Sequence, residues 1–147
     1  MNRKTDELLL LENQICFPLY AASREVNKQY HPFLTELNLT YTQYLVMLVL
    51  WEKTPLSEKE MGIRLHLDSG TLTPVLKSLE AKGFIVRSRS REDERVVCVV
   101  LTEEGAAIKE KAAHIPEAIR ASVPLSDEEA AVLRSLLQKI LDGAEKA

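Results

Sequence analysis

The chain has 147 residues, 46% hydrophobic and 28% charged, which is ordinary for a single soluble domain that buries a core of its own. Its net charge of −3 argues mildly against a nucleic-acid partner. The positive charge is nevertheless clustered, since four arginines fall within nine positions: Arg87, Arg89, Arg91 and Arg95. The longest wholly apolar run, "YLVMLVLW", is too short to cross a bilayer, and the N-terminus does not resemble a signal peptide. These features exclude a membrane-spanning protein and predict a cytoplasmic location.

Signals for helix initiation recur along the chain. The stretch "ENQICFPLYAASREVNKQY" predicts an N-terminal helix that contains Cys16, and Pro18 suggests that a helix begins near the cysteine. Capping boxes, in which Ser or Thr is followed three residues later by Glu or Gln, open three further helices: Thr40 with Gln43, Ser57 with Glu60, and Ser126 with Glu129. We expect the last of these helices to end at Gly143.

The segment "TLTPVLKSLEAKG" predicts a helix with one buried face. Its apolar residues follow the spacing i, i+3, i+4 and i+7, and they are Leu72, Val75, Leu76 and Leu79. The opposite face is small or polar except for one lysine. Because Pro74 would disturb the interior of a helix that started at Asp68, we expect regular helix to begin near Thr71 and to end at Gly83.

The period of the sequence then changes from that of a helix to that of a strand. "FIVRSR" and "RVVCVVLT" predict two valine-rich strands joined by the charged turn "SRED". Thr102 is expected to cap another helix, which Pro116 kinks or breaks. The predicted order of elements is therefore helix, helix, short helix, helix, β-hairpin, helix, helix.

A short helix, a tight turn, a second helix with a small polar outer face and an arginine-bearing hairpin together indicate a winged helix-turn-helix. A helix reads the major groove only if its outer face lets the backbone approach and offers hydrogen-bonding side chains. An arginine-bearing hairpin can lie over the adjacent minor groove, where the potential is most negative. The candidate DNA contacts are Ser69, Thr71, Thr73, Lys77, Arg87, Arg91 and Arg95. The alternative is a plain helical hairpin followed by a solvated turn.

The stretch "DSGTLTPVLKSLEAKGFIVRSRSREDERVVCVVLTEEG" resembles the recognition helix and wing of the MarR family of regulators. Asp93, Arg95 and the closing "LTEEG" match the D-x-R…L-T wing signature of that family. The resemblance implies a mainly α-helical fold with a small β-hairpin wing, in which Arg95 reaches into the minor groove and Asp93 orients it. It also implies a single MarR-like domain over residues 1–147, with dimerisation helices in 1–35 and 103–147 and the winged-helix part in 36–102.

Within that family, the residues around Cys16, together with "LNLTYTQYLVMLVLW", resemble the organic hydroperoxide-sensing (OhrR-type) branch. Cys16 matches the reactive cysteine of the branch. Tyr30 and Tyr41 match two tyrosines that the partner subunit supplies, and Tyr20 matches a further tyrosine near the thiol. A thiolate attacks the peroxide O–O bond and becomes a sulfenic acid, and phenol hydroxyls that donate hydrogen bonds stabilise that anion. The simpler interpretation is that Cys16 is a small hydrophobic residue in a helix.

The other potentially reactive residues give weaker signals. Cys98 lies in "VVCVV", where we expect it to be a core residue of a strand. Two-cysteine members of the branch carry a resolving cysteine in a later helix, whereas residues 103–147 contain none. The resemblance therefore implies the one-cysteine type, in which a small cellular thiol caps the oxidised Cys16. The histidines lack the spacing of metal ligands, so we expect no metal and no cofactor; they are His31, His66 and His114.

Three functions remain open on these grounds. The first is a homodimeric repressor that binds a pseudo-palindromic double-stranded operator and is released when an organic hydroperoxide oxidises Cys16. The second keeps the DNA binding but makes a phenolic or aromatic small molecule the signal. The third is a thiol peroxidase, which leaves the arginine-bearing hairpin unexplained. We favour the first and expect no enzymatic activity.

Overall fold

The computed structural model describes residues 3–145, and within that range the chain divides into two compact units. The first unit ends at Ile115 and the second begins at Pro116. Among the described residues, no helix is both long enough and apolar enough to span a membrane.

The first unit is mainly helical. Its helices are α1 (Arg3–Leu8), α2 (Cys16–Glu36), α3 (Tyr41–Glu52), α4 (Glu58–Leu65), α5 (Ser69–Ala81) and α6 (Glu103–Ala112), with a short 3-10 helix at Leu11–Asn13. Helix α3 is the centre of the core, because its sequence is apolar around most of its circumference and residues such as Met47 and Leu50 are fully buried. Leu34 of α2, Met61 of α4 and Leu76 of α5 are buried as well.

A three-stranded antiparallel sheet completes the first unit. Strands β2 (Ile85–Arg89) and β3 (Val97–Leu101) form the predicted hairpin, with Ile85 opposite Leu101 and Arg89 opposite Val97. A two-residue strand, β1 (Leu56–Ser57), pairs with the other edge of β3 and gives the order β1-β3-β2. Strand β1 was not predicted, since a strand of two residues has no periodicity of its own.

All three predicted capping boxes are confirmed. At the start of α3, the Gln43 amide donates to Thr40 Oγ1 at 3.3 Å and the Thr40 amide donates to Gln43 Oε1 at 3.0 Å. The same reciprocal pair joins Ser57 with Glu60 and Ser126 with Glu129. Thr102 also caps α6 as predicted, because its Oγ1 accepts from the Gly105 amide at 3.0 Å.

The predicted start of the helix that contains Pro74 is wrong, whereas its predicted end is right. Helix α5 begins at Ser69 rather than near Thr71, because the Asp68 carboxylate accepts from the Thr71 amide at 2.7 Å and so caps the helix two residues earlier. Pro74 therefore lies inside α5, where it has no amide hydrogen to donate to the carbonyl of Gly70, four residues before it. Gly83 does end this helix, with a left-handed φ of 84°.

The second unit contains α7 (Ile115–Ser122), which starts at the last residue of the first unit, and α8 (Asp127–Glu145). The predicted break at Pro116 is confirmed, since α6 ends at Ala112 before α7 begins. Gly143 does not end the last helix; it lies within α8, which continues to Glu145. Helix α8 exposes a row of apolar side chains, namely Val132, Leu133, Leu136 and Ile140.

Candidate DNA interface and redox site

Helix α5 has the two faces that a DNA-reading helix needs. Leu72, Leu76 and Leu79 are at most 1% exposed and fix the helix against the core. Ser69 and Thr71 at its N-terminus and Lys77 in its middle are exposed, along with the side chain of Pro74. The first turn therefore combines two exposed hydroxyl groups with the amide groups of a helix N-terminus, an arrangement suited to phosphate oxygens and base edges.

Thr73 is placed differently from the other candidates on α5. It is half-buried, and its Oγ1 donates to Glu58 Oε1 of α4 at 2.7 Å. The hydroxyl proton is thus used to hold α4 against α5. Thr73 contributes to the angle between the two helices, while the outward-facing polar groups of α5 are the other three candidates.

The wing carries a pre-formed arginine–carboxylate pair. Arg95 Nε donates to Asp93 Oδ1 at 3.1 Å and Arg95 Nη2 donates to Asp93 Oδ2 at 3.2 Å, while the Arg95 amide donates to Asp93 Oδ1 at 3.0 Å. These hydrogen bonds from Arg95 hold the pKa of the Asp93 carboxyl below its usual value. The Arg95 side chain is 90% exposed, so it is oriented by Asp93 and still accessible.

The remaining wing arginines are in different surroundings. The Arg87 amide donates to Glu80 Oε2 at 2.8 Å, and Arg87 Nη2 lies 3.4 Å from Glu80 Oε1. These contacts join β2 to α5, and the backbone hydrogen bond from Arg87 is the main reason that the pKa of Glu80 is lowered. Arg91, at the hairpin turn, is exposed, and Arg89 Nη1 donates to the Glu94 carbonyl at 2.8 Å.

Cys16 is the first residue of α2. It is exposed, and so are its neighbours Ile15 and Phe17, which are 82% and 44% exposed. The helix that Pro18 suggested therefore starts two residues earlier, at the cysteine itself. A thiolate at this position lies at the end of the helix where the backbone dipoles favour negative charge.

Three of the four tyrosines, Tyr30, Tyr41 and Tyr44, form a cluster at the junction of α2 and α3. The ring centroid of Tyr30 is 4.9 Å from that of Tyr41 and 5.6 Å from that of Tyr44. Burial is the main reason that the pKa of Tyr30 is raised to about 12, and burial raises the pKa of Tyr41 as well. Both phenols are therefore protonated at neutral pH and can donate hydrogen bonds.

Within one chain, Cys16 cannot reach this tyrosine cluster. Cys16 and Tyr30 are 14 positions apart on the continuous helix α2. At 1.5 Å per residue they are separated by about 21 Å along the helix axis. Tyr20, one turn after Cys16, is the tyrosine of the same chain that lies near the thiol, and the Arg24 guanidinium lies 5.6 Å from the centroid of its ring.

Cys98 is half-buried in β3, where it lies between Ser57 of β1 and Ser88 of β2 in the register of the sheet. This placement agrees with a packing role. Within residues 3–145, no group of three or more His, Cys, Asp or Glu side chains is arranged to hold a metal ion.

A polar cluster that the sequence did not single out joins the α2–α3 turn to α5; we call it the Gln43 cluster, and it comprises Asn38, Thr40, Gln43, Ser78 and Lys82. The Gln43 side chain is 5% exposed. Its Nε2 donates to Ser78 Oγ at 2.9 Å, and Lys82 Nζ donates both to Gln43 Oε1 and to the Asn38 carbonyl at 2.7 Å. Desolvation lowers the pKa of Lys82. The available signal was that Gln43 is a polar residue on a face of α3 that is otherwise apolar.

A capped recognition helix on a helical core, followed by a hairpin with an exposed and oriented arginine, defines a winged helix-turn-helix DNA-binding protein. The comparisons with known proteins agree. Residues 28–112 match the family model "Transcriptional regulator SarA/Rot". The chain is 53% identical to the "Organic hydroperoxide resistance transcriptional regulator" of Bacillus subtilis (strain 168) over 142 residues, which cover 97% of this chain and 96% of that protein.

Two solved structures of AbfR, a protein of Staphylococcus epidermidis, have the same fold. Reduced AbfR bound to DNA has a TM-score of 0.77 and 36% identity, covering 94% of this chain and 97% of that one. Overoxidised AbfR bound to DNA also has a TM-score of 0.77, with 38% identity, and covers 94% and 98%. The chain belongs to the MarR/SarA-type family of winged-helix transcriptional regulators, in the branch that includes the Bacillus subtilis regulator. It is a DNA-binding transcriptional regulator and not an enzyme.

Proposed function

We propose that this chain is a homodimeric repressor that leaves its operator when an organic hydroperoxide oxidises Cys16. The observation that carries the proposal is the separation along α2 between Cys16 and Tyr30, against which Tyr41 of α3 packs. If two copies of α2 run antiparallel about a two-fold axis, each Cys16 comes close to the tyrosine cluster of the other chain. The resulting site has an exposed thiol from one chain and protonated phenol donors from its partner.

The exposed apolar surface supports the dimer. Leu8, Leu9 and Leu11 in the N-terminal segment are 63%, 76% and 59% exposed, and the apolar row of α8 is comparably accessible. Monomeric soluble proteins rarely leave rows of large apolar side chains exposed, because their contact with water is unfavourable. A second copy of the chain would cover these side chains and would present two α5 helices to successive turns of a pseudo-palindromic duplex.

The redox step follows from ordinary thiol chemistry. The Cys16 thiolate attacks the terminal oxygen of the hydroperoxide, and the S–O bond forms as the O–O bond breaks. The departing alkoxide takes up the proton that the thiol had given up and leaves as the alcohol. Sulfur loses two electrons and the peroxide gains them. A small thiol then attacks the sulfenic acid, which releases water and leaves a mixed disulfide on Cys16. The phenol hydroxyls of Tyr30 and Tyr41 stabilise the attacking thiolate by donating hydrogen bonds to it.

The outer face of α5 and the wing supply the DNA contacts. Ser69, Thr71 and Lys77 face the major groove and the adjoining phosphates, and Arg95 lies in the minor groove, with Asp93 fixing its direction. Arg91 at the hairpin turn contacts the backbone of the DNA. Thr73 and Arg87 act mainly by holding α4 and β2 against α5, through Glu58 and Glu80 respectively.

The proposal is tested by DNA binding before and after oxidation. A duplex selected from a randomised pool by the reduced protein serves as the operator, and binding is followed by fluorescence anisotropy. One equivalent of cumene hydroperoxide per chain, with a small thiol present, should release the wild-type protein. Complete release needs an affinity difference of about 10⁴-fold between the two states. The Cys16→Ser variant should bind equally well with and without peroxide.

Two results would contradict the proposal. If the Cys16→Ser protein is released to the same extent as wild type, the signal does not act at Cys16. If the wild-type protein consumes peroxide catalytically with a dithiol while it remains bound to DNA, a peroxidase role is the better description.

A further inference from the structure

We propose that the Gln43 cluster conveys the oxidation of Cys16 to the DNA-reading helix, with Gln43, Ser78 and Lys82 as positioning residues. This inference rests on the proposed function and adds to it the route by which a change at the tyrosines reaches α5. It concerns hydrogen bonds within one chain, all of them between elements of the first unit.

The route begins in the first turn of α3. Tyr41 is the first residue of that helix and packs against Tyr30, while Gln43 is its third residue and belongs to the capping box. The two side chains therefore share one turn of a helix that is rigid because both ends of its capping box are bonded. When a bulky cap on the partner's Cys16 displaces Tyr41, the Gln43 carboxamide moves with it.

The route ends at the C-terminal end of α5. Ser78 lies in the last turns of this helix and Lys82 is its C-cap residue. Ser78 is held by Gln43, and Lys82 is held by both Gln43 and the Asn38 carbonyl. Helix α5 has 13 residues, which corresponds to a length of about 20 Å. A small shift of the C-terminal end of α5 therefore changes the direction in which Ser69 and Thr71 point at its N-terminal end.

The contacts resist sliding of one element past the other. The buried Gln43 carboxamide uses one amide N–H and both acceptor positions of its oxygen, so losing a partner leaves a polar group unsatisfied in the interior. One of the donors is the Lys82 ammonium, and hydrogen bonds from charged donors are the stronger ones. We therefore expect the α2–α3 turn and the C-terminal end of α5 to move together as one rigid body.

The test removes the hydrogen bonds that Ser78 and Lys82 make with Gln43 and Asn38, and leaves the capping box of α3 intact. In the Ser78→Ala/Lys82→Met double variant, the ratio of operator affinity between the reduced and oxidised states should fall by about tenfold relative to wild type. The rate at which Cys16 is oxidised, followed by trapping the sulfenic acid with a dimedone-type reagent, should be unchanged. A variant that oxidises at the wild-type rate but is released less completely has lost transmission, which a general loss of stability would not produce.

Trp51→Phe provides the matched control. It removes a hydrogen bond from α3 to α6, in which Trp51 Nε1 donates to the Gly105 carbonyl at 2.9 Å, and keeps the hydrogen bonds that join Gln43 to Ser78 and Lys82. This variant should keep the wild-type affinity ratio. The inference is overturned if the double variant keeps the wild-type ratio, or if Trp51→Phe lowers the ratio as much. A wild-type protein that is not released by peroxide overturns the proposed function itself and the route with it.

Discussion

In the wing, two side-chain hydrogen bonds already join Arg95 to Asp93. In α5, Asp68 already caps the N-terminus, and the outer polar face is exposed. In α2, by contrast, Cys16 lies about 21 Å from Tyr30, so the groups that would activate the thiol are at the other end of the same helix. One chain therefore forms the internal contacts of the proposed DNA-reading surface, but it holds only the separate components of the proposed redox site. From this difference we infer that the contacts to one DNA half-site are formed within each chain, whereas the response to peroxide needs two paired chains.

The largest effect should come from preventing that pairing. Leu136 and Ile140 are 54% and 55% exposed on α8, and charging both by Leu136→Glu/Ile140→Glu should give a monomer. Because a monomer engages one half-site at a time, operator affinity should fall by about 10²–10⁴-fold. Sedimentation velocity measures the mass, and circular dichroism should show that the helices are retained.

Lys139→Glu is the control for that variant, since it changes an exposed position of α8 outside the apolar row. It should remain dimeric and bind normally. A double variant that still sediments as a dimer would mean that α8 does not form the interface.

Arg95→Ala should have the next largest effect, and it addresses the DNA-reading part alone. Loss of an arginine from the minor groove is expected to cost about 1–3 kcal/mol of operator binding, with the peroxide response preserved. Isothermal titration of the reduced protein with operator duplex measures the change. Lys28→Ala removes the same charge from the exposed side of α2 and should leave the affinity nearly unchanged. Equal losses in the two variants would show that Arg95 acts only through net charge.

The tyrosines should affect the redox part alone. Tyr30→Phe and Tyr41→Phe remove the hydroxyl groups but keep the packed rings of the cluster. Each should slow the oxidation of Cys16 by about tenfold, the value of one hydrogen bond to a charged acceptor. Reduced operator affinity should stay within about threefold of wild type. Stopped-flow mixing with cumene hydroperoxide gives the rate, and wild-type rates in both variants would leave the tyrosines as core residues only.

The smallest effect should come from Asp93. Asp93→Asn keeps the shape of the side chain but weakens its hold on Arg95, and operator affinity should fall by about threefold. Arg95 lowers the pKa of Asp93. The carboxylate is therefore charged at every pH above the usual pKa of an aspartate, and the ion pair with Arg95 is lost only when the pH falls through the lowered pKa. The ratio of wild-type to variant affinity should therefore be constant between about pH 5 and 8. A ratio that falls already near pH 6 would contradict this assignment.

The parts of the fold that were predicted correctly depend on local signals. The three capping boxes, Thr102 and Gly83 each act within four residues, so sequence alone locates them. The errors have a common origin in the competition between a local preference and its surroundings. Pro74 discourages a helix, but the cap that Asp68 supplies at the start of α5 outweighs this preference. Gly143 lacks the left-handed backbone that ends a helix, and α8 continues through it.

For the candidate site, the sequence named the residues but did not predict which side chains they contact. Thr73 and Arg87 were expected to face DNA, and the structure joins them to Glu58 and Glu80, which no spacing in the sequence associates with them. Gln43 was recognised as a cap, yet its contacts with Ser78 and Lys82 are more than 30 positions away in the chain. The roles of Cys16 and the tyrosines stay predictions, since they depend on a second copy of the chain.

The length of α2 between Cys16 and the tyrosine cluster has a consequence in genetic terms. If each redox site takes its thiol from one chain and its phenols from the other, two defective alleles can compensate for one another. A Cys16→Ser chain paired with a Tyr30→Phe/Tyr41→Phe chain rebuilds one intact site, because the second chain contributes the thiol and the first contributes the phenols. Each mixed dimer would then have one intact redox site out of two. A cell carrying both alleles would regain a response that each allele alone has lost or slowed.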